Sequence, residues 1–181
     1  MRVITGSARG RKLESPTGND VRPTTDVVKE AIFSIIQFDV EGCTFLDAFA
    51  GSGQMGLEAL SRGASKAYFI DSSRRSMAVI KKNIGICGFS AEKAVTVQAD
   101  SVSYIAASGK SFDIIFLDPP YMTGLLQKAL AAAEKAVSEN GIVICEHPKE
   151  EELPETVGEL TLRKNYGYGK IIISVYKKAE E

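Results

Sequence analysis

The sequence predicts an α/β protein, a mostly parallel sheet with helices on both faces. Three observations predict it. From residue 43 to residue 145, short apolar runs alternate with stretches that repeat apolar residues at helical spacing. That order gives parallel strands joined by crossover helices. Each of the first four runs stops at or near an aspartate: Asp47, Asp71, Asp100 and Asp118. Finally, 181 residues with 44% hydrophobic and 25% charged side chains suit one soluble domain with a sizeable core.

The elements follow in order. Residues 2–5 and 11–14 pair as a small hairpin around Gly6-Ser7-Ala8-Arg9-Gly10, with a basic tip. A polar link over 15–20 leads to Arg22-Pro23-Thr24-Thr25-Asp26, where Thr24 or Thr25 is the N-cap of a helix and Asp26 lies in its favourable first turn. Val28, Ile32, Ile35 and Ile36 carry that helix to about Gln37. Residues 44–46 form the first buried strand, ended by Asp47; 53–61 form the next helix, closed by Gly63. Residues 66–70 form the second strand, and Ser72 or Ser73 caps a helix with Met77, Ile80 and Ile84 on one face. Residues 94–98 are the third strand and 112–117 the fourth, ending at Asp118-Pro119-Pro120-Tyr121. An alanine-rich helix covers 125–137, a fifth strand 141–145, and an antiparallel pair, 160–164 with 170–176, closes the sheet. The chain thus divides into a basic hairpin extension, 1–22, and one main α/β domain, 23–181.

Composition excludes several function classes. No apolar run approaches membrane-spanning length, and the first residues do not resemble a signal peptide. Cys43, Cys87 and Cys145 are odd in number and set in apolar runs, so they read as reduced core thiols of a cytoplasmic protein. His147 is the one histidine, which leaves no His-rich metal site. Net charge is −1, but the first twelve residues hold Arg2, Arg9, Arg11 and Lys12 with no acid among them. Basic charge is local, and a local cluster is suited to phosphate contacts.

The chemistry sits where strands end. In Asp47-Ala48-Phe49-Ala50-Gly51-Ser52-Gly53, the glycines let backbone pass close to a ligand at a helix N-terminus. It is not the dinucleotide fingerprint, since Gly56 fits the third glycine only loosely, and it lacks a P-loop lysine. Asp47 suits a cationic ligand with an amino group better than a phosphate. Asp71, followed by Ser72, is placed for ribose hydroxyls; Asp100, followed by Ser101, for an adenine amine. Singly, each aspartate is more often a helix cap or a turn. Together they match S-adenosylmethionine, which has an amine, a ribose and an adenine but no phosphate. The fourth strand ends rigidly, because neither Pro119 nor Pro120 can donate a backbone N–H. Asp118 and the Pro119 carbonyl can hold the two hydrogens of an exocyclic amine while the Tyr121 ring stacks on its base.

Leu46 to Gly53 together with Phe116 to Tyr121 resemble class I S-adenosylmethionine-dependent amino-methyltransferases. Gly10-Arg11-Lys12-Leu13 and Arg22-Pro23-Thr24-Thr25-Asp26 narrow the resemblance to the RsmD family, the guanine-N2 methyltransferases of small-subunit ribosomal RNA. It spans residues 3–176, with Ala8 standing where some members carry a bulky aromatic. The resemblance implies a Rossmann-like sheet of seven strands with the last antiparallel. It implies a guanine of 16S rRNA, in an assembled or partly assembled small subunit, as substrate for a cytoplasmic, metal-free monomer. Phe49 joins the cofactor residues, and Arg9, Arg11, Lys12 and Arg22 form the RNA footprint. The rivals are an adenine-N6 methyltransferase acting on RNA or DNA, a non-catalytic RNA-binding module on the same fold, and a small-molecule methyltransferase.

Overall fold

A computed structural model describes residues 1–17 and 24–178; Arg22 and Pro23 lie outside the described residues. Five helices and eight strands follow in the order α1 (Asp26–Ile35), β1 (Thr44–Asp47), α2 (Gln54–Ser61), β2 (Lys66–Asp71), α3 (Arg74–Cys87), β3 (Ala94–Gln98), α4 (Ser101–Ala107), β4 (Phe112–Leu117), α5 (Leu125–Ala136), β5 (Val137–Pro148), β6 (Thr156–Val157), β7 (Leu160–Tyr168) and β8 (Ile171–Lys178). They build one sheet in the order β3-β2-β1-β4-β5-β8-β7-β6. The first five strands are parallel, and β8 inserts antiparallel between β5 and β7.

The expected count of seven strands is exceeded by β6, a two-residue edge paired to β7. Two residues give no periodicity to read. The same reason hides α4, where only Ser101 and Ile105 are buried and no apolar stripe forms. The closing pair is also longer than expected, because Asn165 to Tyr168 continue the ladder and the chain turns at Gly169.

Strand alternation sorts the core into two layers. Phe45, Phe69, Ile114 and Phe116 face α1, α2 and α3, while Leu46, Ile70, Ile115 and Leu117 face α4 and α5. The helix after β1 therefore covers one face and the helix after β4 the other. The strand order also reverses between β1 and β4, and such a switch point opens a crevice at the carboxyl ends of the strands.

The hairpin at residues 1–14 is a single antiparallel bridge, Arg2 to Lys12, rather than two full strands. Tertiary contacts hold it. Val3, Ala8 and Leu13 are buried in the main core. Ser7 donates its N–H to the Ser61 carbonyl at 2.8 Å, and Ala8 donates to the Ser61 hydroxyl at 2.9 Å. Gly6 sits at φ +90°, where an added Cβ would come within 1.7 Å of that same carbonyl, so only glycine fits. Beneath the hairpin the Glu58 carboxylate accepts from the N–H groups of Ile4 and Thr5 and from Arg62. The fully buried Lys29 ammonium lies 3.7 Å from Glu58 and donates to the Arg2 carbonyl at 2.6 Å. Burial pulls the Lys29 pKa down against the opposing pull of Glu58 and Asp26. Removing one member of such a buried pair typically costs about 3–5 kcal/mol, so this pair fixes where the hairpin docks.

Candidate active site

Local sequence shapes the first half of the site. After β1, Ala48 donates its N–H to the Phe116 carbonyl and Ala50 to the Ile70 carbonyl, so the loop crosses the ends of both neighbouring strands. Gly51 (φ +56°) and Gly53 (φ +80°) then turn it into the N-terminus of α2. Asp47 is fully buried beneath the loop and accepts the Gly56 N–H at 3.0 Å. Burial pushes its carboxyl up to about 7, with the nearby Asp71 adding to the shift and the Gly56 bond opposing it. Gly56 matters twice, since a Cβ there would lie 2.4 Å from the Phe69 ring. The close helix-to-strand packing supplied by the third glycine of a dinucleotide fingerprint is supplied here by Gly56.

The other acidic strand ends are engaged by backbone. Asp71 accepts from Gly51 N–H and from Ser73 N–H, each at 2.8 Å, bracing the glycine loop against the start of α3. Asp100 caps α4 by accepting both the N–H and the hydroxyl of Ser103 through one oxygen, which lowers its pKa. Ser101 donates its hydroxyl to the Ala48 carbonyl, stitching the start of α4 to the loop after β1. Ser73, not Ser72, caps α3, and Thr25, not Thr24, caps α1.

The second half of the site is built over long range. Thr24 donates its hydroxyl to Glu146 at 2.9 Å, and the Tyr121 hydroxyl approaches the other oxygen of that carboxylate at 3.3 Å. Glu146 is buried at the end of β5, beside β4, and so ties the tetrapeptide to the segment that starts α1. Gln54 completes the tie: it donates to the Thr24 carbonyl and accepts from Lys29.

One cavity of about 620 Å³ joins the two halves. It is lined by Asp47, Phe49, Gly51, Asp71, Ser72, Asp100 and Ser101 on one side and by Asp118, Pro119, Pro120 and Tyr121 on the other. Gly53 stands behind this wall, against Phe69 and Ile80, and acts through loop shape. Among the other lining residues, Thr24 and Gln54, which look like ordinary helix-start polars, and Arg75, an exposed cation, give no sequence signal as site residues. Glu146 and Lys29 were equally silent, because nothing in a sequence says that a charged residue is buried.

Arg9, Arg11 and Lys12 are exposed and outside the cavity. The hairpin's ends, not its tip, meet the cofactor loop: Met1 contacts Ser52, and Asn83 bridges Glu14 to the Ser52 carbonyl. Its tip, with Arg9, lies at the C-terminal end of α2. His147 is tied to Ser174 and the Pro148 carbonyl between β5 and β8, away from the cavity. Cys43 and Cys145 are buried free thiols and Cys87 is half-buried; burial pushes the Cys43 thiol up to about 12. Among the described residues no cluster of His, Cys, Asp and Glu forms a metal site, and no helix is long and apolar enough to cross a membrane.

Comparison with known proteins agrees with this architecture. The family model described as "Conserved hypothetical protein 95" matches residues 1–177. YlbH of Bacillus subtilis is 39% identical over 183 residues, covering 98% of this chain and 99% of that protein. Ribosomal RNA small subunit methyltransferase D of Escherichia coli K12 is 33% identical over 180 residues, covering 98% and 90%. The solved structure of Escherichia coli yhhF superposes with a TM-score of 0.88 at 32% identity, covering 100% of this chain and 99% of that one. The fold is therefore that of the class I methyltransferases, and the chain belongs to the ribosomal RNA small subunit methyltransferase D family.

Proposed function

We propose that the protein transfers a methyl group from S-adenosylmethionine to the exocyclic N2 amine of a guanine in 16S ribosomal RNA. The observation that carries this reading is the single cavity shared by the glycine loop and the Asp118-Pro119-Pro120-Tyr121 edge. The residues present fit the cofactor. Asp47 lines the cavity with a carboxyl that burial disfavours in its charged form, and a ligand amino group beside it would favour that charged form. Asp71 and Asp100 line the same wall for ribose and adenine, and the glycine loop carries no lysine that would call for phosphate. Bound there, S-adenosylmethionine brings a methyl already activated by its sulfonium.

The chain's own groups then have to aim the acceptor. Asp118 and the Pro119 carbonyl accept the two amine hydrogens, which turns the nitrogen lone pair out of the base plane and stabilises the positive charge growing on it. Tyr121 stacks on the base, its ring fixed by the contact with Glu146. The proton shed by the amine passes to Asp118 or to water, so no strong base is required. Exposed Arg9, Arg11 and Lys12, with Arg22, contact phosphates and orient the RNA. The family relatives named as small-subunit rRNA methyltransferases support this substrate. The test is methylation of small subunits purified from a strain lacking the protein, followed by nucleoside analysis. N2-methylguanosine is expected; N6-methyladenosine would overturn the choice of base, and no incorporation would overturn the reaction.

A further inference from the structure

Eleven glycines among the described residues have positive φ; the twelfth positive-φ residue is Met122, at φ +57°. A side chain in that region costs about 1–2 kcal/mol that glycine avoids, so something holds Met122 there. The holding contacts are visible. The buried Glu151 carboxylate accepts the Met122 N–H at 3.2 Å, and Thr123 donates its hydroxyl to the Pro120 carbonyl at 2.8 Å. The rigid prolines lie on one side, and Gly124 starts α5 on the other. The turn therefore presents an apolar side chain, 65% exposed, on the residue that directly follows Tyr121, itself part of the cavity lining. The other large exposed hydrophobics among the described residues, Val27 and Phe38, belong to α1 and the turn after it.

A base that enters a pocket leaves a gap in its strand, and an apolar wedge offsets the unstacking. Methionine suits the task because its unbranched thioether adapts to irregular gaps. We infer that Met122 is the side chain that occupies the gap left in the RNA when the acceptor base turns toward Asp118. This rests on the proposed reaction, and it adds a positioning residue outside the tetrapeptide.

The test compares Met122→Gly, Met122→Leu and the wild type on unmethylated small subunits under single-turnover conditions. Glycine is the informative change, since it keeps the left-handed turn free of strain and removes only the side chain. Met122→Gly should fold at least as stably as the wild type and bind S-adenosylmethionine within about twofold, yet transfer methyl about tenfold or more slowly. Met122→Leu should recover most of the rate. A glycine variant as fast as the wild type, or a leucine variant as slow as the glycine one, overturns the inference. A wild type that transfers no methyl to these subunits overturns the underlying reaction, and the inference falls with it.

Discussion

The two walls of the cavity are held in place differently. On the cofactor side, Asp47, Asp71 and Asp100 are each satisfied by backbone N–H groups within about a turn of the glycine loop or of the helix that follows. On the acceptor side, Tyr121 and Thr24 meet on Glu146, a residue 25 positions from one and 122 from the other. The first wall is shaped by backbone bonds among adjacent strand ends and the loops that follow them, the second by one buried carboxylate that joins distant segments. The difference predicts that damage to the cofactor wall shows as lost affinity. Damage to the acceptor wall should show as lost transfer.

The sharpest break of that contrast is Asp118→Ala. Methyl transfer should fall by at least about 10²–10³, as when an aimed stabiliser of developing charge is removed, while cofactor affinity stays within a few-fold. Tritium transfer beside calorimetry measures both, and normal transfer would sink the assignment of Asp118 to the acceptor amine.

Asp71→Ala tests the opposite wall. It removes the acceptor that braces Gly51 and Ser73 as well as the proposed ribose contact. A loss of roughly 1.5–3 kcal/mol, or tenfold to a hundredfold in cofactor affinity, is expected. The transfer rate at saturating cofactor should be little changed. Unaltered affinity would show that the brace is dispensable and that no ribose contact exists.

The link between the walls is tested by Glu146→Ala, which strips Thr24 and Tyr121 of a shared acceptor. It should lower turnover by about tenfold with cofactor affinity unchanged, since one buried hydrogen-bonding group left without a partner costs about 1–3 kcal/mol. Equal losses in turnover and cofactor affinity would mean that the two walls are not separable.

Asp47 gives the cofactor wall a pH signature. Its carboxyl titrates near 7 in the free protein and must be ionised to pair with an amino group. Binding then releases a proton below pH 7, so affinity should fall as pH drops, approaching tenfold per unit, and level off above 7. Calorimetry between pH 5.5 and 7 in buffers of different ionisation enthalpy reads the proton directly. A flat profile would remove Asp47 from the amine contact.

The smallest effect concerns a surface outside both walls. Replacing Arg9, Arg11 and Lys12 with alanine should flatten the log–log salt dependence of small-subunit binding by up to about 2–3 units and leave cofactor affinity alone. Parallel salt slopes would return these residues to the status of a solvated surface.

By itself the sequence determined the five parallel strands, the closing antiparallel pair, the glycine loop and the rigid tetrapeptide, though not β6 or α4. All of these are local: periodicity within ten residues, fixed proline φ, and glycine where backbone must turn. It also placed the four acids at strand ends, because an aspartate that stops an apolar run is visible without any partner. Only the tertiary structure decided what those acids touch, that Asp47 is buried and Asp71 braces the loop. It alone showed that Lys29, Glu58 and Glu146 lie inside the protein, with Lys29 and Glu58 fixing the hairpin and Glu146 fixing the acceptor edge. The physical reason is that a charged side chain reads as solvated until the partners that offset its desolvation are known, and those partners arrive from distant parts of the chain.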